Sequence, residues 1–116
     1  MRNAIASITV FLMIVLSLCA CARENVGSTW QEQYDLGMRY LSDGNYEEAI
    51  IAFTAAIKID SKRPEAFLGR GDAYEELGDL ERAAADYQAA LELGPNADAE
   101  KKLRKWEAEL LAAQLQ

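Results

Sequence analysis

A chain of 116 residues holds one small domain. It carries 12 Lys+Arg against 19 Asp+Glu and no His, a formal charge of −7. That balance leaves no basic stripe for nucleic acid and no attraction to anionic lipid, and the missing histidine removes the commonest general base and metal ligand.

Residues 1–20 differ in character from the rest. A positive amino end, Met1-Arg2-Asn3, precedes an apolar run from Ala4 to Leu18, and small residues follow. This is the pattern of an export signal. The apolar run is shorter than the roughly 20 residues that span a bilayer comfortably, so a permanent transmembrane anchor is the weaker reading. Arg2 is the one charged side chain in the segment, and without it the remaining chain has a formal charge of −8.

Both cysteines stand at the end of this segment, in Leu18-Cys19-Ala20-Cys21. A disulfide between Cys19 and Cys21 would close a very small, strained ring. Two cysteines without histidine cannot complete a zinc site, and no base is present to activate a thiol. The four residues resemble the bacterial lipobox, in which a Leu stands three before the modified Cys and a small residue just before it. The resemblance implies a diacylglycerol thioether on Cys21 and cleavage between Ala20 and Cys21. It also implies a bacterial cell-envelope location, lipid-anchored on the extracytoplasmic side. Cys19 is an unusual residue for its slot. Ordinary signal cleavage after Ala22, at Ala20-Cys21-Ala22, is the competing reading. Residues 21–28 then form a polar tether, and the stretch 22–28 reaches about 25 Å at most, so the folded part would stay close to the membrane.

Beyond the tether the sequence repeats at an offset of 34. Gly37 falls on Gly71, Tyr40 on Tyr74, Gly44 on Gly78 and Glu47 on Glu81. Ala49 falls on Ala83, Phe53 on Tyr87, Ala56 on Ala90 and Ile57 on Leu91. Each unit reads as two helices. The first helix is predicted from Trp30 to Ser42, entered at Thr29 with Glu32 at capping-box spacing. Asp43-Gly44-Asn45 is a turn. The second runs from Tyr46 to Ile59, with Ala49, Phe53, Ala56 and Ile57 at helical spacing. Pro64 suits the first turn of a third helix ending at Leu77, Gly78-Asp79 repeats the turn, and a fourth helix covers Leu80 to Leu93.

A repeat of this length and signature resembles the tetratricopeptide repeat, whose pattern is W-x2-L-G-x2-Y, then A-x3-F, then P. The first copy, 29–63, has Leu36-Gly37-x2-Tyr40 and Ala49-x3-Phe53, with Gln33 in the Trp slot and Ser61 in the Pro slot. The second, 64–97, has Phe67, Gly71-x2-Tyr74, Ala83-x3-Tyr87 and Pro95, with Arg70 where the pattern prefers Leu. The resemblance implies an all-α fold, a right-handed superhelical stack of two helix-turn-helix repeats. Its glycines and alanines let helices approach, and its aromatics fill the gaps.

A third copy does not follow. The same shift lands on Lys105 in place of Gly and Ala108 in place of Tyr. Residues 98–116 read instead as one amphipathic capping helix with Leu103, Trp106, Leu110 and Ala113 on one stripe. The sharper reading is a helix that docks permanently in an envelope complex, marked by an exposed Trp106, or that makes a homodimer. Two repeats and a cap are near the lower limit of a stable array, so a partner would help.

No catalytic set and no phosphate loop can be read, so the chain is expected to be neither an enzyme nor a cofactor binder. The acidic pairs Glu47-Glu48 and Glu75-Glu76 read as solvated helix faces. The family resemblance implies that the first helix of each hairpin lines a groove for a protein or peptide partner. The candidates so placed are Tyr34, Met38 and Leu41 with Gln31 and Asp35, then Leu68, Asp72 and Glu75 with Glu65 and Glu76. One half is apolar and the other acidic, which fits a ligand with an apolar anchor beside Lys or Arg. Some family members clamp an acidic peptide carboxylate with Lys, Asn and Arg. Those slots hold Tyr34, Met38, Leu68 and Asp72 here, which argues against an acidic tail.

Overall fold

The computed structural model describes residues 27–116. The signal-type segment, Cys19, Cys21, both cleavage sites and most of the tether lie outside the described residues.

Among the described residues there are, in order, five helices: α1 (Trp30–Asp43), α2 (Tyr46–Ile59), α3 (Pro64–Glu76), α4 (Leu80–Glu92) and α5 (Ala97–Gln114). The starts of α1 to α4 agree with the sequence expectation and their ends differ from it by one residue at most, while α5 begins one residue before the expected 98–116 and ends two residues short of it. The boundaries have local causes. The Thr29 hydroxyl accepts from the Glu32 amide at 3.2 Å, and the Thr29 amide donates to Glu32 Oε2 at 2.9 Å, closing the capping box. Asp79 caps α4 through the Arg82 amide, and Asn96 caps α5 through the amides of Asp98 and Ala99.

The two hairpin turns use one device. Gly44 has φ +80° and its amide donates to the Leu41 carbonyl, while the Asn45 amide reaches the Tyr40 carbonyl at 2.9 Å. Gly78 has φ +79°, its amide donates to the Glu75 carbonyl, and the Asp79 amide reaches Tyr74 at 2.9 Å. Both are Schellman closures, which need a left-handed residue at the position glycine occupies.

The helices pack in chain order. α1 pairs with α2, α2 with α3, α3 with α4, and α4 with α5. The apolar interior falls into two clusters. One gathers Trp30, Ala49, Phe53, Ala56, Ala66 and Ala73 around the first hairpin and the start of the second. The other gathers Ala83, Tyr87, Ala90, Ala99 and Trp106 around the second hairpin and α5. Among the described residues, Phe53 and Tyr87 are the largest fully buried side chains, and they hold equivalent places in the two repeats.

Glycine makes room for both rings. A Cβ built on Gly37 would lie 2.7 Å from the Phe53 ring, and one on Gly71 would lie 2.7 Å from the Tyr87 ring. Gly69 was not singled out by the repeat pattern, yet a Cβ there would lie 2.5 Å from Phe53 Cζ. Phe53 therefore sits between bare backbone on α1 and bare backbone on α3, and it fixes the spacing of the two repeats. Real side-chain carbons do not approach a ring so closely, so glycine is required sterically at all three positions.

Arg70, the departure from the family's Leu, is explained by a pairing across the stack. Its Nε and Nη2 donate to the two carboxylate oxygens of buried Asp86 at 2.9 and 2.7 Å, and its Nη1 donates to Thr54 at 3.1 Å. One fork thus ties α3 to both α4 and α2. Its bond to Asp86 holds the guanidinium pKa above the ordinary value, against the opposing effect of burial.

Candidate functional site

A cleft of about 540 Å³ runs across α1, α3 and α5. Leu41 closes one side, Asp72, Glu75 and Glu76 project from α3, and Asp98, Lys101, Lys102 and Lys105 come from α5. The helical period places Asp72, Glu75 and Glu76 on one face of α3, a turn apart.

At its floor is a network centred on the Tyr87 hydroxyl. That hydroxyl lies 2.7 Å from Asp72 Oδ1 and 2.8 Å from Glu75 Oε2, so a single O–H proton serves two carboxylates. Lys102 Nζ donates to Asp72, and Lys105 Nζ donates to Glu75 at 3.1 Å. Lys102 also stands 5.2 Å from the centre of the Tyr87 ring and 3.7 Å from Asp98. Burial, followed by these two acceptors, pushes the Tyr87 hydroxyl pKa far up, so the phenol stays protonated. For Glu75, burial acts to raise the pKa. The hydroxyl of Tyr87 and the ammonium of Lys105 outweigh it and hold the carboxyl below its ordinary value.

The structure brings four of the sequence candidates, Leu41, Asp72, Glu75 and Glu76, into this cleft. Tyr34, Met38 and Leu68 lie elsewhere. Tyr34 stacks on Trp30 with ring centres 4.8 Å apart and leans on Phe53 at 5.9 Å. The Arg63 guanidinium covers the far face of the pair's Trp30, 4.4 Å from that ring. Burial, helped by Glu65, raises the Tyr34 pKa. Leu68 packs on the Tyr87 cluster, and Met38 is exposed on α1. The pair Glu75-Glu76 is not a uniform solvated face. Glu75 is half-buried and bonded, while Glu76 is exposed with one long contact, 3.4 Å, from the Tyr46 hydroxyl.

The α5 lysines were absent from the sequence candidates. They change the character of the cleft, because the carboxylates of its acidic half are met from within the chain. The remaining charge is mixed, with Glu76 on α3 and both Asp98 and Lys101 on α5. A signal for them was present. Continuing the offset of 34 from Tyr34 through Leu68 arrives at Lys102. Trp106 is buried in the second cluster, so it is not the exposed docking residue that the assembly reading called for.

This geometry, two stacked helix hairpins followed by a C-terminal helix packed on the second, agrees with the comparisons. The family profile described as Tetratricopeptide repeat matches residues 34–98. The chain belongs to the tetratricopeptide repeat family. It is 33% identical over 61 residues to human Tetratricopeptide repeat protein 16, a match covering 53% of this chain and 7% of that protein. It is 32% identical over 79 residues to Dynein axonemal assembly factor 4 of Pan troglodytes, covering 68% of this chain and 18% of that protein. The chain therefore spans under a fifth of the length of these relatives. Among solved structures, the second TPR domain of human RPAP3, in complex with an HSP70 peptide, superposes with a TM-score of 0.66 at 35% identity. The Arabidopsis OM64 TPR domain superposes at 0.67 and 32%. Each match covers 70% of this chain and 68% of the other. The tetratricopeptide fold is a protein-interaction scaffold, and this chain is such a module.

Proposed function

We propose that the protein is a lipoprotein of the bacterial cell envelope that holds a tetratricopeptide interaction module beside the membrane through acyl chains on Cys21. Two or more chains anchor stably where one binds marginally, and an acidic domain gains no help from anionic lipid. Leu18-Cys19-Ala20-Cys21 and the apolar run before it support the anchor. The module's work is recognition of a peptide or protein segment in the cleft between α1, α3 and α5.

The observation that carries the binding role is the composition of that cleft. Leu41 offers an apolar contact, and charges of both signs surround it. The ligand that fits is a segment with an apolar side chain flanked by one acidic and one basic residue. The RPAP3 domain is in complex with the HSP70 peptide SGPTIEEVD. That acidic tail is not the ligand inferred here, because Tyr34, Met38, Leu68 and Asp72 stand where a carboxylate clamp would need cations and amides.

A photo-cross-linking side chain at Leu41, with Glu92 on the exposed side of α4 as control, tests this in cells. A discrete adduct from Leu41 that is absent from Glu92, and that weakens when Lys101 and Glu76 are both neutralised, supports the cleft. Equal labelling from both positions would refute it.

A further inference from the structure

α5 is held differently from the four helices before it. It packs on α4, and among the described residues no helix lies beyond it. Two kinds of contact fix it there. Ala99, Leu103 and Trp106 enter the second apolar cluster. Lys102 and Lys105 cross to Asp72 and Glu75 on α3, the two carboxylates that the Tyr87 hydroxyl bridges. From Glu107 onward every residue is exposed, so the last turns take little part in the hold.

Both kinds of contact have a built-in weakness. Trp106 is only 7% exposed, yet its indole N–H has no acceptor. A buried donor left unpaired disfavours the docked state, and undocking returns it to water. The side chains of Lys105 and Asp72 are 55% and 34% exposed, so solvent and salt screen both ion pairs.

α5 also carries its own supports. Asn96 caps it, and the pairs Arg104–Glu100 and Lys102–Asp98 lie within it, one turn apart. It can therefore leave the stack as a unit, with residues 93–96 as the joint. It would leave behind the apolar floor of the second cluster, edged by Asp72, Glu75 and the Tyr87 hydroxyl. Residues 30–96 carry 14 Asp+Glu against 6 Lys+Arg, so the seat belongs to an acidic body and its occupant supplies the cations.

We propose that α5 is an exchangeable cover: it undocks from a folded second hairpin, and a basic amphipathic helix of a partner protein takes its place. That helix carries two cations and two apolar residues at the spacing of Lys102, Lys105, Leu103 and Trp106. A second copy is the poorer occupant, because it must vacate an identical seat of its own and gains nothing by the exchange. A foreign helix whose anchor has no unpaired N–H gains over α5. Cations face the carboxylates of α3 in either case, so exchange at α5 and recognition at Leu41 are separate events.

Hydrogen exchange and a labelled synthetic peptide of residues 97–116 test this on the full chain in detergent. The amides of α5 are expected to exchange together, about tenfold or more faster than those of α2 to α4. Their exchange should quicken further in about 1 M salt. The peptide is expected to bind about tenfold more tightly to the chain with Lys102→Gln and Lys105→Gln, whose own cover is loosened, than to wild type. The same two changes made in the peptide should abolish its binding. Circular dichroism confirms that the variant chain folds, and Lys105→Gln alone replaces it otherwise. Amides of α5 that exchange only together with those of α2 to α4 overturn the proposal. So does a peptide that binds equally with and without its lysines. Wild-type chains that dimerise as concentration rises, and cease to do so with Lys102→Gln and Lys105→Gln, would overturn the choice of a partner protein and make the occupant a second copy.

Discussion

Replacing Gly69 by alanine sets two effects of known size against each other. In the interior of a helix, Gly→Ala gains about 1 kcal/mol of intrinsic propensity. Here the new methyl would lie 2.5 Å from Phe53 Cζ and 2.6 Å from its Cε1. The ring cannot retreat, because it is fully buried and its other side meets the backbone of Gly37, where a Cβ would lie 2.7 Å away. Overpacking of this kind costs about 1–3 kcal/mol, and a fixed ring on α2 places it in the upper half of that range. The net expectation is a loss of about 1–2 kcal/mol. At about 4–8 °C per kcal/mol for a domain of this size, Tm falls by about 4–16 °C. Thermal melts followed by circular dichroism measure it. The reasoning also fixes the sign in a second background. With Phe53→Leu already present the methyl has room, and Gly69→Ala should be neutral or stabilising, a coupling of about 1 kcal/mol or more. A wild-type background in which Gly69→Ala raises Tm, or a double variant that is simply additive, would refute the account of how the repeats are spaced.

Two further outcomes follow from the polar contacts. Arg70→Leu restores the family's residue but strands the buried Asp86 carboxylate. A loss of about 3 kcal/mol or more is expected in urea denaturation, most of it recovered by adding Asp86→Ala. Glu75 is held below its ordinary value of 4.5 in the folded chain, so its stabilising effect is fully present above that pH and is lost as pH falls through the lower folded value. The Tm gap between wild type and Glu75→Gln should be constant from pH 7 to about 5 and close below 4.5, and a gap that widens in acid would contradict the network.

The parts of the fold legible in the sequence are those set by local chemistry and period. Thr29 and Glu32 announce a helix start at their own spacing, Gly44 and Gly78 mark turns that only glycine closes easily, and the offset of 34 aligns Phe53 with Tyr87. What escaped depends on contacts between neighbouring units. Gly69 carries no turn signal, and its reason is a ring reaching over from another repeat. Asp72 and Glu75 read as free acids because their lysines lie 30 residues away, on a helix whose departure from the repeat pattern ended the frame. Tyr34 has the position of a groove residue but is drawn under by Trp30, which Arg63 covers from the loop before α3.

The central claim is that this interaction module is held at the membrane through Cys21. Intact mass of the protein isolated from membranes, for wild type and Cys21→Ser, tests it most directly. The account predicts a wild-type mass equal to residues 21–116 plus acyl chains, and loss of that species in the variant. An unmodified mass beginning at Ala22 or Arg23, unchanged in kind by Cys21→Ser, would contradict it and make the same repeats a secreted module with no anchor.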